Sequence, residues 1–272
     1  MDPVAQVMGV VNVTPDSFSD GGRYLDRDAA VAHGVELVGQ GAAILDVGGE
    51  STRPGAEPVA QEEELRRVVP VLRGLAEAVP DATLSVDTSK AEVARQAVAA
   101  GAVVVNDVSA LRAEPGLADV VAQAGAGCCL MHMLGEPRTM QDDPRYDDVV
   151  SEVKAFLEQR LEYAVGRGID EQRIWLDPGI GFGKTAQHNV EVLARLDELV
   201  ALGRPVVVGT SRKTFLGSLA GGRDPGDRLP GTIATNVMAL ERGAAIFRVH
   251  DVAAVVDALA VAGATVAAMR RG

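Results

Sequence analysis

Aromatic residues make up 3% of this 272-residue chain, cysteine occurs twice, and lysine is confined to Lys90, Lys154, Lys184 and Lys213. Each scarcity excludes something. With one Trp, three Tyr and five Phe in a sequence that is 47% hydrophobic, Ala, Val and Leu have to fill the core, which suits layered packing of strands and helices. The charge balance is acidic, −12 with a sequence pI near 4.8. That argues against nucleic acid as a ligand, because a basic face supplies most of such affinity; a small anion needs only a few local cations and stays possible. Cys128 and Cys129 are neighbours, so in a strand they point to opposite faces and a bridge between them would be strained. They read as buried small apolar residues in a reducing compartment. No basic segment followed by an apolar stretch opens the chain, so no secretory leader is expected. No apolar run is read as approaching the roughly 18 residues of a membrane span, and a cytoplasmic location is expected.

What the chain has is a repeated pattern. Short Val/Ile/Leu runs, each closed by a polar residue and a turn, recur at Gln6 to Val13, Ala43 to Val47, Thr83 to Val86, Ala102 to Val105, Gly127 to Met131, Arg173 to Leu176, Pro205 to Val208 and Ala244 to Val249. Between them lie stretches with helical spacing, such as Ala29 to Gly39, Glu62 to Leu75 with its acidic first turn, Val149 to Val165, and Thr232 to Arg242. Strands this apolar are buried on both faces, which means a parallel sheet covered by helices. Eight such units predict a single α/β domain over residues 1–272, folded as a (β/α)8 TIM barrel, with a doubly wound open sheet as the competing architecture. The Gly/Pro-rich stretch Gly217 to Pro230 reads as a loop.

Each predicted strand ends in a hydrogen-bonding or ionisable group. In order these are Asn12, Asp46, Asp87, Asn106 with Asp107, His132, Asp177, Ser211-Arg212-Lys213, and Arg248 with His250. Turns favour Asp and Asn anyway, but a succession of eight that includes four carboxylates and three cations describes a polar pocket with an anion-binding side. Alternation puts Arg248 and His250 on one side of the last strand, able to reach one anion. Gly183-Lys184-Thr185 ends like a Walker A loop, yet Pro178 stands where that loop needs its first glycine, and proline has no N–H to offer a phosphate. No zinc-ligand spacing and no nucleophile–base pair occurs, so the chemistry need not be covalent. Mg2+ remains compatible, since a phosphate-bearing substrate leaves it needing an oxygen or two from protein. His33 and His188, in predicted helices, are given no role.

Taken together, the ordered segments carry a resemblance. Val7 to Gly22 reads Val-Met-Gly-Val-Val-Asn-Val-Thr-Pro-Asp-Ser-Phe-Ser-Asp-Gly-Gly, and Asp46 to Gly55 reads Asp-Val-Gly-Gly-Glu-Ser-Thr-Arg-Pro-Gly. With Ser85 to Thr88, Val105 to Val108, Leu130 to His132, Asp177 to Phe182, Ser211 to Lys213 and Arg248 to Val252, the set resembles the dihydropteroate synthases over essentially the whole chain. The resemblance implies a (β/α)8 barrel, a homodimer, and a transferase joining p-aminobenzoate to 6-hydroxymethyl-7,8-dihydropterin pyrophosphate with Mg2+. By it, Asp87, Asn106, Asp177 and Lys213 hold the pterin, with Met131 and Phe182 as walls. Thr52, Arg248 and His250 match the pyrophosphate side and Asn12 the Mg2+ ligand. Phe18, Pro54 and Thr214 match the aminobenzoate site, and Asp20, Arg53, Lys213 and Asp177 the catalytic set. The two loops carrying Asp20 and Arg53 are expected to be mobile when empty and ordered by pyrophosphate. A pterin-binding methyltransferase should lack those two loops, and a non-catalytic pterin-binding paralogue should have lost pyrophosphate residues; both readings stay open at this point. The helix expected at Val252 to Met269 is apolar almost all round, so a partner subunit is expected to cover it.

Overall fold

The computed structural model describes residues 5–14, 23–51, 55–136 and 138–269, with the main chain alone for 23–26. Eight parallel strands form one sheet: β1 (Gln6–Asn12), β2 (Ile44–Gly48), β3 (Thr83–Asp87), β4 (Val104–Asp107), β5 (Gly127–Met131), β6 (Ile174–Asp177), β7 (Val207–Val208) and β8 (Ile246–Val249). They are hydrogen-bonded in the order β6-β5-β4-β3-β2-β1-β8-β7. The two outermost strands also meet: Leu176 pairs with Val206, and the Leu176 N–H donates to the Pro205 carbonyl at 3.0 Å. The sheet therefore curls back on itself as a barrel, and the open-sheet alternative is set aside.

The helices around it are α1 (Arg23–Gly39), α2 (Gln61–Ala78), α3 (Ala91–Ala99), α4 (Gly116–Ala124), α5 (Val149–Gly166), α6 (Ala186–Ala194), α7 (Asp197–Val200), α8 (Thr214–Leu219), α9 (Leu229–Glu241) and α10 (Val252–Met269). Glu62, Glu63 and Glu64 open α2, where carboxylates favour the exposed N–H groups of the first turn. The stretch read as a loop from Gly217 to Pro230 is partly helical. α8 runs on to Leu219, a 3-10 turn spans Pro225–Asp227, and α9 begins at Leu229 with Pro230 in its first turn, where a missing N–H costs no bond.

Period-two alternation divides the strand side chains between two cores. Outward residues such as Val11, Leu45, Val47, Val86, Val105, Cys128, Leu130 and Phe247 form the large core under the helices. Inward residues Met8, Ile44, Cys129, Val207 and Ile246, with Trp175, fill the barrel. Cys128 and Cys129 thus face opposite ways, both buried and free. The inner plug is apolar and occupies the lower barrel, so the inward positions above it are free to be polar.

α10 corrects one reading. Its 18 residues, with mean hydropathy 2.0, are long and apolar enough to cross a membrane by length and composition. Here Val252, Val255 and Leu259 are buried in the shared core, while Val261 and Met269 are 71% and 70% exposed. It is a barrel helix with an uncovered apolar face. Phe247 is the largest fully buried side chain among the described residues. Phe247→Ala is expected to lower unfolding free energy by about 3–5 kcal/mol, read from urea denaturation; a loss under about 1 kcal/mol would show that the barrel wall does not depend on it.

Candidate active site

Asp46 sits inside β2, fully buried, and its carboxylate collects three donors from three other strands. Ser85 Oγ in β3 donates to Oδ1 at 2.6 Å, Asn106 Nδ2 in β4 donates to Oδ2 at 2.9 Å, and Arg248 Nε in β8 donates to Oδ2 at 2.7 Å. A second guanidinium nitrogen, Arg248 Nη2, donates to Asp87 Oδ2 at 2.9 Å. One arginine thus spans two carboxylates across the barrel mouth, just above the apolar plug. Burial works against the Arg248 charge, but Asp46 and Asp87 outweigh it and raise its pKa. Burial pushes Asp87 up to about 7, against the pull of Arg248, with Asp46, Glu64 and Asp107 adding to the rise. Desolvation outweighs the Arg248 ion pair, and the three other carboxylates reinforce the rise.

The opposite wall comes from β5, β6 and the turn after β6. Register places Met131 beside Asp177. Asp177 Oδ1 accepts the Gly179 N–H at 2.7 Å, and burial raises its pKa while Lys213 and that hydrogen bond oppose. Lys213, at the start of α8, donates from Nζ to the Ile180 carbonyl and lies 4.4 Å from the centre of the Phe182 ring. Burial brings it down to about 8, with Asp177 holding it up. Met131, Met133 and Met140 form a small cluster with Val108 and Phe182 beside these groups. The mouth therefore offers acceptors (Asp87, Asp177), donors (Lys213, Asn106, Arg248) and a flat apolar wall (Met131, Phe182).

On the β7–β8 side, the His250 N–H donates to Ser211 Oγ at 3.1 Å, and His250 Nδ1 lies 3.0 Å from the same oxygen. Arg212 has φ +58 and makes a two-pronged ion pair with Asp251, which ties the β7 turn to the end of β8. That left-handed residue directs Ser211 toward His250 and Lys213 toward Asp177. Thr214 begins α8 and is exposed. Asn12 ends β1 half-buried, and its amide makes no hydrogen bond to another described residue. Phe18, Asp20, Thr52, Arg53 and Pro54 lie outside the described residues.

A cavity of about 740 Å3 adjoins the cluster, lined among others by Asp87, Thr88, Arg112, Met133 and Arg138. It lies to the β3–β5 side. Below it Lys90 bridges Glu50 and the fully buried Glu64, and Glu50 also accepts the Val59 N–H at 3.3 Å. Among the described residues no group of three or more His, Cys, Asp and Glu is placed to hold a metal.

Sequence reasoning passed over three participants. Asp46 was seen at a strand end but given no task, although a charge in the run Ile-Leu-Asp-Val-Gly signals a buried group that needs partners. Arg212 was grouped with Ser211 and Lys213 at a strand end without a task of its own, and Lys184 with a Walker-A-like loop that lacks its first glycine. Lys184 is 2% exposed and points inward, with Nζ 2.9 Å from His132 Nδ1. Burial takes His132 down to about 2 and Lys184 down to about 7, so His132 is neutral and accepts.

A barrel with a polar cluster at the carboxyl ends of its strands is the class of site that comparison with known proteins extends. Residues 8–250 match the family model described as "Pterin binding enzyme". The chain is 51% identical over 265 residues to the dihydropteroate synthase of Mycobacterium leprae, covering 95% of this chain and 93% of that one. Among solved structures, Xanthomonas albilineans dihydropteroate synthase with 4-aminobenzoic acid superposes with a TM-score of 0.91 at 53% identity, covering 96% and 93% of the two chains. Yersinia pestis dihydropteroate synthase in a sulfonamide drug complex gives 0.91 at 46%, covering 96% and 94%. The chain belongs to the pterin-binding enzymes. Within them it belongs to the dihydropteroate synthases, a family of transferases.

Asp46→Asn keeps the shape but puts an amide donor among three donors. It is expected to cost about 3 kcal/mol of stability, as breaking a buried charged network does. Thermal melting checks this, and a Tm within about 1 °C of wild type would remove Asp46 from its central place.

Proposed function

We propose that this barrel mouth joins p-aminobenzoate to 6-hydroxymethyl-7,8-dihydropterin pyrophosphate by a dissociative, SN1-like substitution. Products are 7,8-dihydropteroate and pyrophosphate. The observation that carries the reading is the meeting of Asp87, Asn106, Asp177, Lys213 and Arg248 around one end of the barrel, the mixed donor and acceptor set that a pterin edge requires. The relatives solved with 4-aminobenzoic acid and with a sulfonamide drug support it.

Asp177 and Asp87 accept from the pterin's N–H groups, and Asn106 and Lys213 donate to its acceptors. Met131 and Phe182 hold the ring flat. The bond between the pterin methylene and the pyrophosphate oxygen breaks, and its electron pair leaves with pyrophosphate. The cation left behind spreads into the ring, where the two carboxylates stabilise it. Arg248 and His250 neutralise charge on the leaving group, and the Thr52 hydroxyl hydrogen-bonds to it. The amine of aminobenzoate, placed by Phe18, Pro54 and Thr214, gives its lone pair to the methylene and loses a proton to solvent. Asp20 and Arg53 complete the catalytic set. Asn12 has a side-chain oxygen free of described partners, which fits a Mg2+ that needs few protein ligands beside a pyrophosphate. That ion would supply further neutralisation of the departing charge. Purified protein incubated with both substrates, labelled aminobenzoate and Mg2+ is expected to give labelled dihydropteroate and one equivalent of pyrophosphate; no labelled product would refute the reading.

The reading places the enzyme in the cytoplasm, where buried Cys128, its thiol pushed up to about 12, stays reduced. It also makes it a homodimer through α10. The exposed Val261 and Met269 continue a groove bounded by Val237, Glu241 and Asp257. Light scattering at micromolar concentration is expected to give a dimer mass, and Val261→Glu a monomer; a monomeric wild type contradicts this part.

Only an ionised Asp87 accepts with both oxygens and carries the charge that stabilises the pterin cation. Its folded pKa is raised to about 7, so kcat/KM for the pterin substrate should rise with pH up to about 7 and level off above. In Asp87→Asn that acid limb should vanish, on a baseline lower by about two decades. A limb unchanged in Asp87→Asn assigns it to another group.

A further inference from the structure

The turn between β6 and α6, Gly179 to Lys184, is the segment that resembles a Walker A loop without its first glycine. Its five carbonyls from Gly179 to Gly183 each have a donor. Lys184 Nζ donates to Gly179 at 3.0 Å and to Phe182 at 3.2 Å, and Lys213 Nζ donates to Ile180. Gln141 Nε2 donates to Gly181 at 2.6 Å, and Tyr146 Oη to Gly183 at 2.7 Å. Gly179, Gly181 and Gly183 all have positive φ, and a Cβ on them would lie 1.8 Å from the His132 carbonyl, 2.9 Å from Lys213 Cδ and 2.7 Å from Leu134 Cβ. The main chain is thus pressed between the end of β5 on one side and Lys213 on the other. The third acceptor of Lys184, His132 Nδ1, belongs to that same end of β5, and the His132 ring is held edge-on to Phe156 at 4.9 Å between centroids.

We infer that Lys184 is a positioning residue for the pterin site: its buried ammonium pins the turn to β5 and so fixes where the Ile180 carbonyl and the Phe182 ring hold Lys213. The inference rests on the reading of Asp177, Phe182 and Lys213 as pterin-binding groups. Lys184 itself touches no substrate. A phosphate-binding lysine projects outward from a cradle of N–H groups; this one lies behind its loop and binds carbonyls. A loop whose carbonyls lose their central donor has to turn them elsewhere, and the ring and Lys213 move with it.

Lys184→Met, which keeps the stem and removes the three donors, tests this beside Lys213→Met and wild type. For Lys184→Met the KM for pterin pyrophosphate is expected to rise about tenfold, with the KM for aminobenzoate and kcat within about twofold of wild type. General loosening of the fold would lower the active fraction, hence kcat, and leave both KM values unchanged. His132→Leu removes one acceptor and should show the same split at about threefold; it decides the matter if Lys184→Met does not fold. Pterin KM unchanged in Lys184→Met, or in His132→Leu where that variant must decide, overturns the inference. Should Lys213→Met also leave pterin KM unchanged, the underlying assignment of the pterin site falls; if only Lys213→Met raises it, the inference alone falls.

Discussion

A single buried carboxylate organises the working end of this barrel. Asp46 has no exposure to water, and a charge so placed is tolerated only when its oxygens are filled. They are filled by Ser85, Asn106 and Arg248, each on a different strand. That demand orients the Asn106 amide, leaving its second N–H for other use. It also swings the Arg248 guanidinium inward, where it reaches Asp87 as well. The network sits on an apolar plug of Met8, Ile44, Cys129, Val207 and Ile246, which keeps water from entering beneath it. The strength of the electrostatics above depends on that dryness below.

The frame of the molecule was legible because parallel barrel strands have a plain signature. A strand covered on both sides reads as an apolar run, and β1 to β8 all lie within a residue or two of the runs that announce them. The site was legible for a related reason: strand ends in a barrel converge, so polar residues that close consecutive runs have to become neighbours. What stayed hidden depends on partners distant in sequence. That His250 settles on Ser211 is decided by a turn 39 residues away, itself shaped by the left-handed Arg212 and the Arg212–Asp251 pair. The inward course of Lys184 is decided by His132, 52 residues away. The end of α8, Gly217 to Leu219, fell within the stretch expected to be loop, because six residues give too few turns for a periodicity to register.

The two lysines of the cluster illustrate how burial divides labour between identical side chains. Both lose part of their basicity to burial, Lys184 to about 7 and Lys213 to about 8, and both bind carbonyls of one turn. Lys213 approaches from the side of Asp177 and the Phe182 face, Lys184 from the side of β5. The glycines between them are required by close approach, most severely at Gly179, where the His132 carbonyl leaves no room for a side chain.

The Arg248–Asp46 bond spans 202 positions of sequence. During synthesis the chain emerges amino end first, at roughly 5–20 residues per second. β2 and its carboxylate therefore leave the ribosome many seconds before the arginine that neutralises them. Throughout that interval the barrel lacks its last strand, β1 has an open edge where β8 will pair, and Asp46 cannot be buried as an ion without cost. Closure of the barrel and completion of the charge network are consequently one event, reached only when the final strand arrives. A nascent chain held short of β8 has neither a sealed sheet nor a working mouth, and for that period it depends on whatever shields exposed strand edges in its cell.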